Sequence, residues 1–229
     1  MVDFNPEWYK KLINSTNEKN VLISNIEEIL QGKPHETCLE IGLGVYPFFA
    51  ENLSSHFKEY IIVERRKTEN LLPKGVKLVI DDWENVKLDE KFDVIIASHV
   101  VYYFKDKKRA IDKMFASLND NGRVIFVVNG KESDYGPIKL AFSKMIGEKY
   151  HFTYDELINT LKGRIIKEYT RPSKIKFSSY EDLFETLRIS FDNYAKEYQD
   201  HKKDFLEYFK ENVKGNYFII DQKIIEVRK

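Results

Sequence analysis

The chain has almost no cysteine. Cys38 is the one thiol in 229 residues, which excludes an internal disulfide and any cysteine-rich metal site and suits a reducing compartment. Cys38 itself reads as a small buried hydrophobe. An excess of either charge is also missing: Lys plus Arg and Asp plus Glu stand at 37 each, so there is no basic footprint for a nucleic-acid backbone and no acidic tail for a basic partner. Long apolar runs are absent. The longest, Phe92 to Phe104, carries Asp93, Ser98 and His99 and falls short of the roughly 20 residues that cross a bilayer. The opening MVDFNPEWYKK has no apolar signal core, so nothing in it directs secretion. These absences set the expectation of a cytoplasmic protein without a membrane or nucleic-acid partner. Length favours one domain over 1–229, and no repeat, low-complexity tract or linker divides it.

What is present is an alternation. Residues 5–31 place Trp8, Leu12, Ile13, Val21, Leu22, Ile26, Ile29 and Leu30 at helical spacing, interrupted at NSTNEKN, which predicts two short helices in a cap over 1–34. Over 35–130 strands and helices alternate: TCLEIGL, a helix from about Pro47 to Phe57, EYIIVE, a turn-rich stretch, VKLVIDD, FDVIIAS, a helix through KDKKRAIDKMFASL, and RVIFVVN. Near-continuous apolar strands separated by amphipathic helices predict an α/β fold with a mostly parallel sheet covered on both faces. Residues 131–229 read as substrate-side insertions and closing strands. They comprise a connecting insert to about 150, a helix over FTYDELINTLK, a strand broken by Pro172, a long aromatic-rich helical stretch over 178–213, and YFIIDQKIIEVRK at the close.

The stretch CLEIGLGVYPFF poses the functional question. Cys38, Leu39 and Ile41 read as a buried strand, and Gly42 and Gly44 follow where the chain must turn sharply or let a ligand approach the backbone. Packing alone is the other reading of that turn. A dinucleotide-binding turn needs a third glycine three residues after the second, and Pro47 stands there. No G-K-[ST] follows either, so a ligand without a pyrophosphate fits better. Glu64 ends the second strand, where a carboxylate can accept both hydrogen bonds of a ribose diol. Asp81 and Asp82 end the third, where a carboxylate can accept from an adenine amino group while Trp83 flanks the ring. Ser98 and His99 end the fourth. The carboxyl ends of successive parallel strands meet at one crevice. Each residue also has a structural reading, Glu64 as a solvated strand end and Asp82 as a helix cap; the ordered set carries the inference.

Residues 37–129, with LEIGLG, IIVE, VIDDWENV and FDVIIASHVVYYF, resemble the class I S-adenosylmethionine-dependent methyltransferases, and YFIIDQKIIEV is similar to the antiparallel closing strand of their Rossmann-like seven-stranded sheet. The resemblance implies S-adenosyl-L-methionine as cofactor. It assigns Glu40, Gly42 and Gly44 to the methionine end, Glu64 to the ribose, Asp82 and Trp83 to the adenine, and Ser98 to the sulfur side. Tyr46 stands where many members have another glycine. More loosely, WYKKLINST, SHVVYYFKD, the aromatic-bearing insert and FTYDELINTL resemble histamine N-methyltransferase and its relatives. Where those enzymes place a substrate-holding glutamate, this chain has Asn17 beside Glu18.

Methyl transfer from a sulfonium needs no metal; the protein holds a nucleophile close, aligned and desolvated. An amine acceptor must first lose its proton. His99, whose side-chain type exchanges protons near neutrality, is the candidate for that task or for orienting substrate, with Tyr103 as a second candidate. Tyr102 and Tyr103 could wall the acceptor site. Phe4, Trp8 and Tyr135, and a stripe of Phe184, Phe191, Tyr194 and Tyr198, form a second aromatic set, which reads as packing for most and as a lid over a flat or cationic substrate for one or two. Asp221, placed between closing strand segments, could hold an amine or make a turn. The expected function is methyl transfer to a small-molecule acceptor, an amine or imidazole nitrogen. A hydroxyl acceptor, or a non-catalytic scaffold of the same fold, are the alternatives.

Overall fold

In the computed structural model, residues 5–31, 35–68 and 71–229 are described; Phe4 lies outside them. The chain runs through α1 (Pro6–Ser15), α2 (Glu18–Leu30), β1 (His35–Ile41), α3 (Phe48–Leu53), β2 (Phe57–Glu64), β3 (Val76–Ile80), β4 (Phe92–Ser98), α4 (Lys107–Ala116) and β5 (Leu118–Asn129). It continues through α5 (Tyr135–Met145), α6 (Thr153–Thr160), β6 (Ile166–Lys176), α7 (Tyr180–Leu187), α8 (Ala195–Asp200), α9 (Lys202–Asn212) and β7 (Tyr217–Arg228). Helix starts follow local chemistry. The Asn5 side chain accepts the Glu7 and Trp8 amides ahead of Pro6, Asp106 accepts the Arg109 amide, and Ser179 accepts the Asp182 amide, each satisfying donors that a helix cannot.

Among the described residues the strands form a seven-stranded sheet in the order β3-β2-β1-β4-β5-β7-β6. The β1–β2, β1–β4, β2–β3 and β4–β5 pairings are parallel, and β7 closes the sheet antiparallel. This is the expected mixed, Rossmann-like arrangement.

The chain divides into two compact units. One comprises 22–128, 153–170 and 223–229. β1, β2, β4 and β5 are buried on both faces because their side chains alternate. Leu39, Ile61, Ile95 and Phe126 pack with Ala110, Ile111 and Met114 of α4 and Leu157 of α6, whereas Cys38, Tyr60, Ile96 and Ile125 pack with Leu22 and Ile26 of α2 and Phe49 of α3. The other unit comprises 1–21, 129–152 and 171–222. Its core is aromatic: Tyr198 stacks on Phe184 at 4.3 Å and on Phe191 at 4.5 Å, and its hydroxyl donates to the Phe184 carbonyl.

Four local expectations change. The helix expected to reach Phe57 ends at Leu53 and gives way to a 3-10 turn over Ser54–His56. The strand expected to break at Pro172 runs through it; β6 is an edge strand, where a missing N–H goes unmissed. The long helical stretch is segmented, with Phe191 at φ −124°, ψ 24°, so that Phe191 turns into the aromatic core. Asp221 lies inside one continuous β7 rather than between strand segments.

Candidate active site

Within the first unit, backbone bonds tie the carboxyl ends of β1 and β3 to β2, and that of β4 to β5. The Gly42 amide donates to the Val63 carbonyl at 2.9 Å, the Asp81 amide to the Glu64 carbonyl at 3.1 Å, and the His99 amide to the Val127 carbonyl at 2.9 Å. Gly42 sits at φ +83°, and a Cβ built there would lie 2.4 Å from Val100 Cγ1. Only glycine satisfies both the backbone and the space. Gly44 follows at φ +72°, so the turn presents backbone rather than side chains.

Glu64, 5% exposed, anchors that turn. Its Oε2 accepts the Leu43 amide at 2.9 Å, and its Oε1 accepts both the Arg66 amide at 3.0 Å and Arg66 Nε at 3.3 Å. Glu40 is deeper, 2% exposed, and accepts the Tyr60 hydroxyl at 2.8 Å. Burial, reinforced by Glu40, pushes the Tyr60 phenol well above its ordinary range, and burial does the same to the Cys38 thiol. Asp82 is half-buried and accepts the Glu84 amide at 2.9 Å, the turn-capping role of an aspartate.

Trp83 is a correction. It was expected to flank a bound ring, but it is 3% exposed in the core, its indole N–H donates to the Ala110 carbonyl at 3.1 Å, and the Lys113 ammonium lies 4.4 Å from its ring centroid. Ser98 ends β4 opposite Val127, and its hydroxyl oxygen is buried with no hydrogen-bond partner among the described residues. A buried, unsatisfied hydroxyl calls for a ligand or water. His99 adopts φ +53°, a left-handed conformation uncommon for a non-glycine residue and frequent at functional sites. Its Nδ1 is 3.3 Å from the Tyr102 hydroxyl, and the two rings stack at 6.1 Å. Tyr103 stands edge-on to Tyr102, with the Arg65 guanidinium over its ring.

Trp8, Tyr135 and Asp221 belong to the second unit. The Arg188 guanidinium covers Trp8 at 4.2 Å. Tyr135 is buried, which pushes its phenol up to about 12. Asp221 accepts the Ser133 hydroxyl at 2.6 Å, and neighbouring Asp134, raised by burial and then by Asp221, accepts the Ile219 amide.

Several side chains gave no signal in the sequence. Tyr60 and Val100 act through partners far along the chain, and Arg66 through Glu64 two residues before it. Lys139 is 3% exposed; its ammonium donates to the Ser190 carbonyl and lies 3.7 Å from the Phe191 ring centroid and 5.3 Å from those of Tyr135 and Tyr150. Burial pulls that amine down to about 7, against the opposing pull of Asp192. Among the described residues no group of three or more His, Cys, Asp or Glu is placed to hold a metal, and no helix is long and apolar enough to cross a membrane.

Comparison with known proteins agrees with this architecture. A malonyl-[acyl-carrier protein] O-methyltransferase of Calditerrivibrio nitroreducens is 26% identical over 137 residues, 58% of this chain and 54% of that protein. A second, from Bacillus anthracis, is 25% identical over 138 residues; the chain spans about half the length of these curated relatives. Among solved structures, the N-methyltransferase NodS of Bradyrhizobium japonicum in complex with S-adenosylhomocysteine matches with a TM-score of 0.51 at 17% identity, over 91% of this chain and 85% of that one. A Thermotoga maritima methyltransferase, described as a possible histamine N-methyltransferase, matches with a TM-score of 0.55 at 15% identity, over 97% and 93%. Residues 15–185 match a family model described as methyltransferase domain, and the chain belongs to that family.

Proposed function

We propose that this chain is a class I S-adenosylmethionine-dependent methyltransferase acting on a small molecule, with an amine or imidazole nitrogen as acceptor. The observation that carries the proposal is the turn after β1: Gly42 has no room for a Cβ, the next amide is fixed by buried Glu64, and Ser98, which ends β4, keeps a buried hydroxyl unsatisfied. A backbone cradle and a partnerless donor fit a polar ligand that approaches the main chain.

In this reading Glu40, Gly42 and Gly44 border the methionine end, Glu64 the ribose, Asp82 the adenine amino group and Ser98 the sulfur side. Glu64 Oε1 already accepts two donors from Arg66, so a diol that takes both carboxylate oxygens must displace the Arg66 side chain. S-adenosylmethionine, when bound, supplies a methyl group already activated on a sulfonium. The chain's own part is to hold a neutral nucleophile in line and dry. His99 would take the acceptor's proton or orient it, with Tyr102 holding the imidazole through the 3.3 Å contact and Tyr103 bordering the acceptor. Trp8, Tyr135 and Asp221 are further substrate-binding candidates.

One observation favours O-methylation instead: both curated relatives are named O-methyltransferases acting on an acyl-carrier-protein substrate. Calorimetric titration with S-adenosylhomocysteine and, separately, NAD tests the cofactor. Mass spectrometry of reactions with small amines and with carboxylic acids, free or carrier-bound, then tests the acceptor. Saturable binding of S-adenosylhomocysteine alone and a methyl gain on an amine are expected. Failure to bind it sinks the cofactor reading, and a methyl gain confined to acids sinks the nitrogen one.

A further inference from the structure

A second polar cleft lies in the first unit, toward the opposite end of the parallel strands. It has a volume of about 260 Å³ and is lined by Arg123, Lys167, Tyr169, Glu226, Arg228 and Glu28, with Ile29 and Gln31 at its edge. Arg123 pairs with Val94 of β4, whereas Ser98 pairs with Val127. Those four residues of strand separate the two levels by about 13 Å at 3.3 Å per residue.

The floor of the cleft is built from buried charge. The Arg123 side chain is 8% exposed and Glu226 is 4% exposed. Arg123 Nη1 donates to Glu226 Oε1 at 3.0 Å and to the Ile29 carbonyl at 3.2 Å. The same Glu226 oxygen also accepts Arg228 Nε at 3.4 Å, so one carboxylate serves two guanidiniums. Lys167 adds a third cation at the rim, its ammonium 4.9 Å from the Tyr169 ring centroid. Against these three cations stand Glu226 and the exposed Glu28, which leaves a net positive site.

Arg123 Nε is buried and has no acceptor among the described residues. Buried donors without partners are uncommon in native proteins and call for an acceptor from a ligand or water. A guanidinium with an unsatisfied donor, a second guanidinium sharing its carboxylate and an ammonium at the rim form a donor set that suits tetrahedral oxyanions. We propose that this cleft binds a small phosphate-type oxyanion, free or carried by a phosphate monoester, at a site separate from the glycine turn.

The test uses the full chain. Calorimetry with inorganic phosphate and with glycerol 3-phosphate, each against chloride at matched ionic strength, is run on the wild type and on an Arg228→Gln/Lys167→Gln variant. The Arg228 side chain is 56% exposed and Lys167 is exposed, so the variant should fold and retain the wild-type melting profile. Saturable binding in the wild type that weakens roughly tenfold or more in the variant is expected from the loss of two charge-assisted partners. The tighter of the two anions identifies the source. No saturable binding below about 10 mM, equal binding by the variant, or competition by S-adenosylhomocysteine would each overturn the proposal, the last by placing the anion in the glycine-turn cleft.

Discussion

Replacing Lys139 with methionine should change how stability depends on pH, and the change can be worked from the structure. In the unfolded chain the amine titrates near 10.5, as a lysine ordinarily does, whereas burial holds it at about 7 in the folded protein. The unfolded state therefore binds more protons between those values, and stability must rise with pH across that window. At pH 7 the unfavourable contribution corresponds to a little over three pKa units and at pH 9 to about one and a half, so at ~1.4 kcal/mol per unit stability gains about 2 kcal/mol between the two. Asp192 and the phenols of Tyr135 and Tyr150 face the same ammonium. The burial of Asp192 raises its carboxyl and that of Tyr135 raises its phenol to about 12. The Tyr135 phenol therefore titrates above the pH 7 to 9 window. Lys139→Met keeps the side-chain length, removes the proton and retains the aromatic packing. Urea unfolding at pH 7, 8 and 9 measures both proteins. The wild type should gain about 2 kcal/mol more than the variant across this range. Parallel pH profiles would refute the argument, because they would mean that Lys139 reaches water and keeps an ordinary amine.

Gly42→Ala should abolish detectable S-adenosylhomocysteine binding, since its Cβ meets Val100 at 2.4 Å at a positive φ; calorimetry showing wild-type affinity would remove the turn from the site. Glu64→Gln should weaken the same ligand by roughly tenfold or more and lower stability by about 1–3 kcal/mol, because the amide retains only one acceptor oxygen for the three donors now held. An unchanged affinity would cancel the ribose assignment. Tyr60→Phe should cost about 1–3 kcal/mol in urea unfolding, since buried Glu40 loses a hydroxyl donor. A neutral result would show that the other contacts of Glu40 suffice.

The sheet was legible in the sequence because its signal is local. LEIGLG, EYIIVE, FDVIIAS and RVIFVVN are apolar over a strand length and separated by helical periodicity, and doubly covered parallel strands require that pattern. The segmentation of 178–213 was not legible. Its aromatic spacing satisfies a continuous helix, but Tyr198 packs between Phe184 and Phe191, and meeting both rings bends the chain at Phe191. Tertiary packing outweighs helical propensity there.

The site divides along the same physical line. That Glu64 and Ser98 end strands and that Asp82 follows one could be read from the strand pattern alone. What each side chain does there depends on neighbours remote in sequence. Trp83 follows Asp82 directly, yet α4 takes its indole N–H and sets Lys113 over its ring, so its burial could not be read from its place beside the carboxylate. Gly42 shows the converse. Its lack of a side chain was visible, but the reason the position tolerates none is Val100, 58 residues away in sequence. A bulkier residue at 42 would therefore act through β4, and substitution of Val100 by alanine should relieve part of the defect of Gly42→Ala. It should not relieve all of it, because the positive φ remains costly for any L side chain. Measured as S-adenosylhomocysteine affinity, partial recovery in the double variant separates the steric component from the backbone one, and no recovery would assign the whole effect to the backbone.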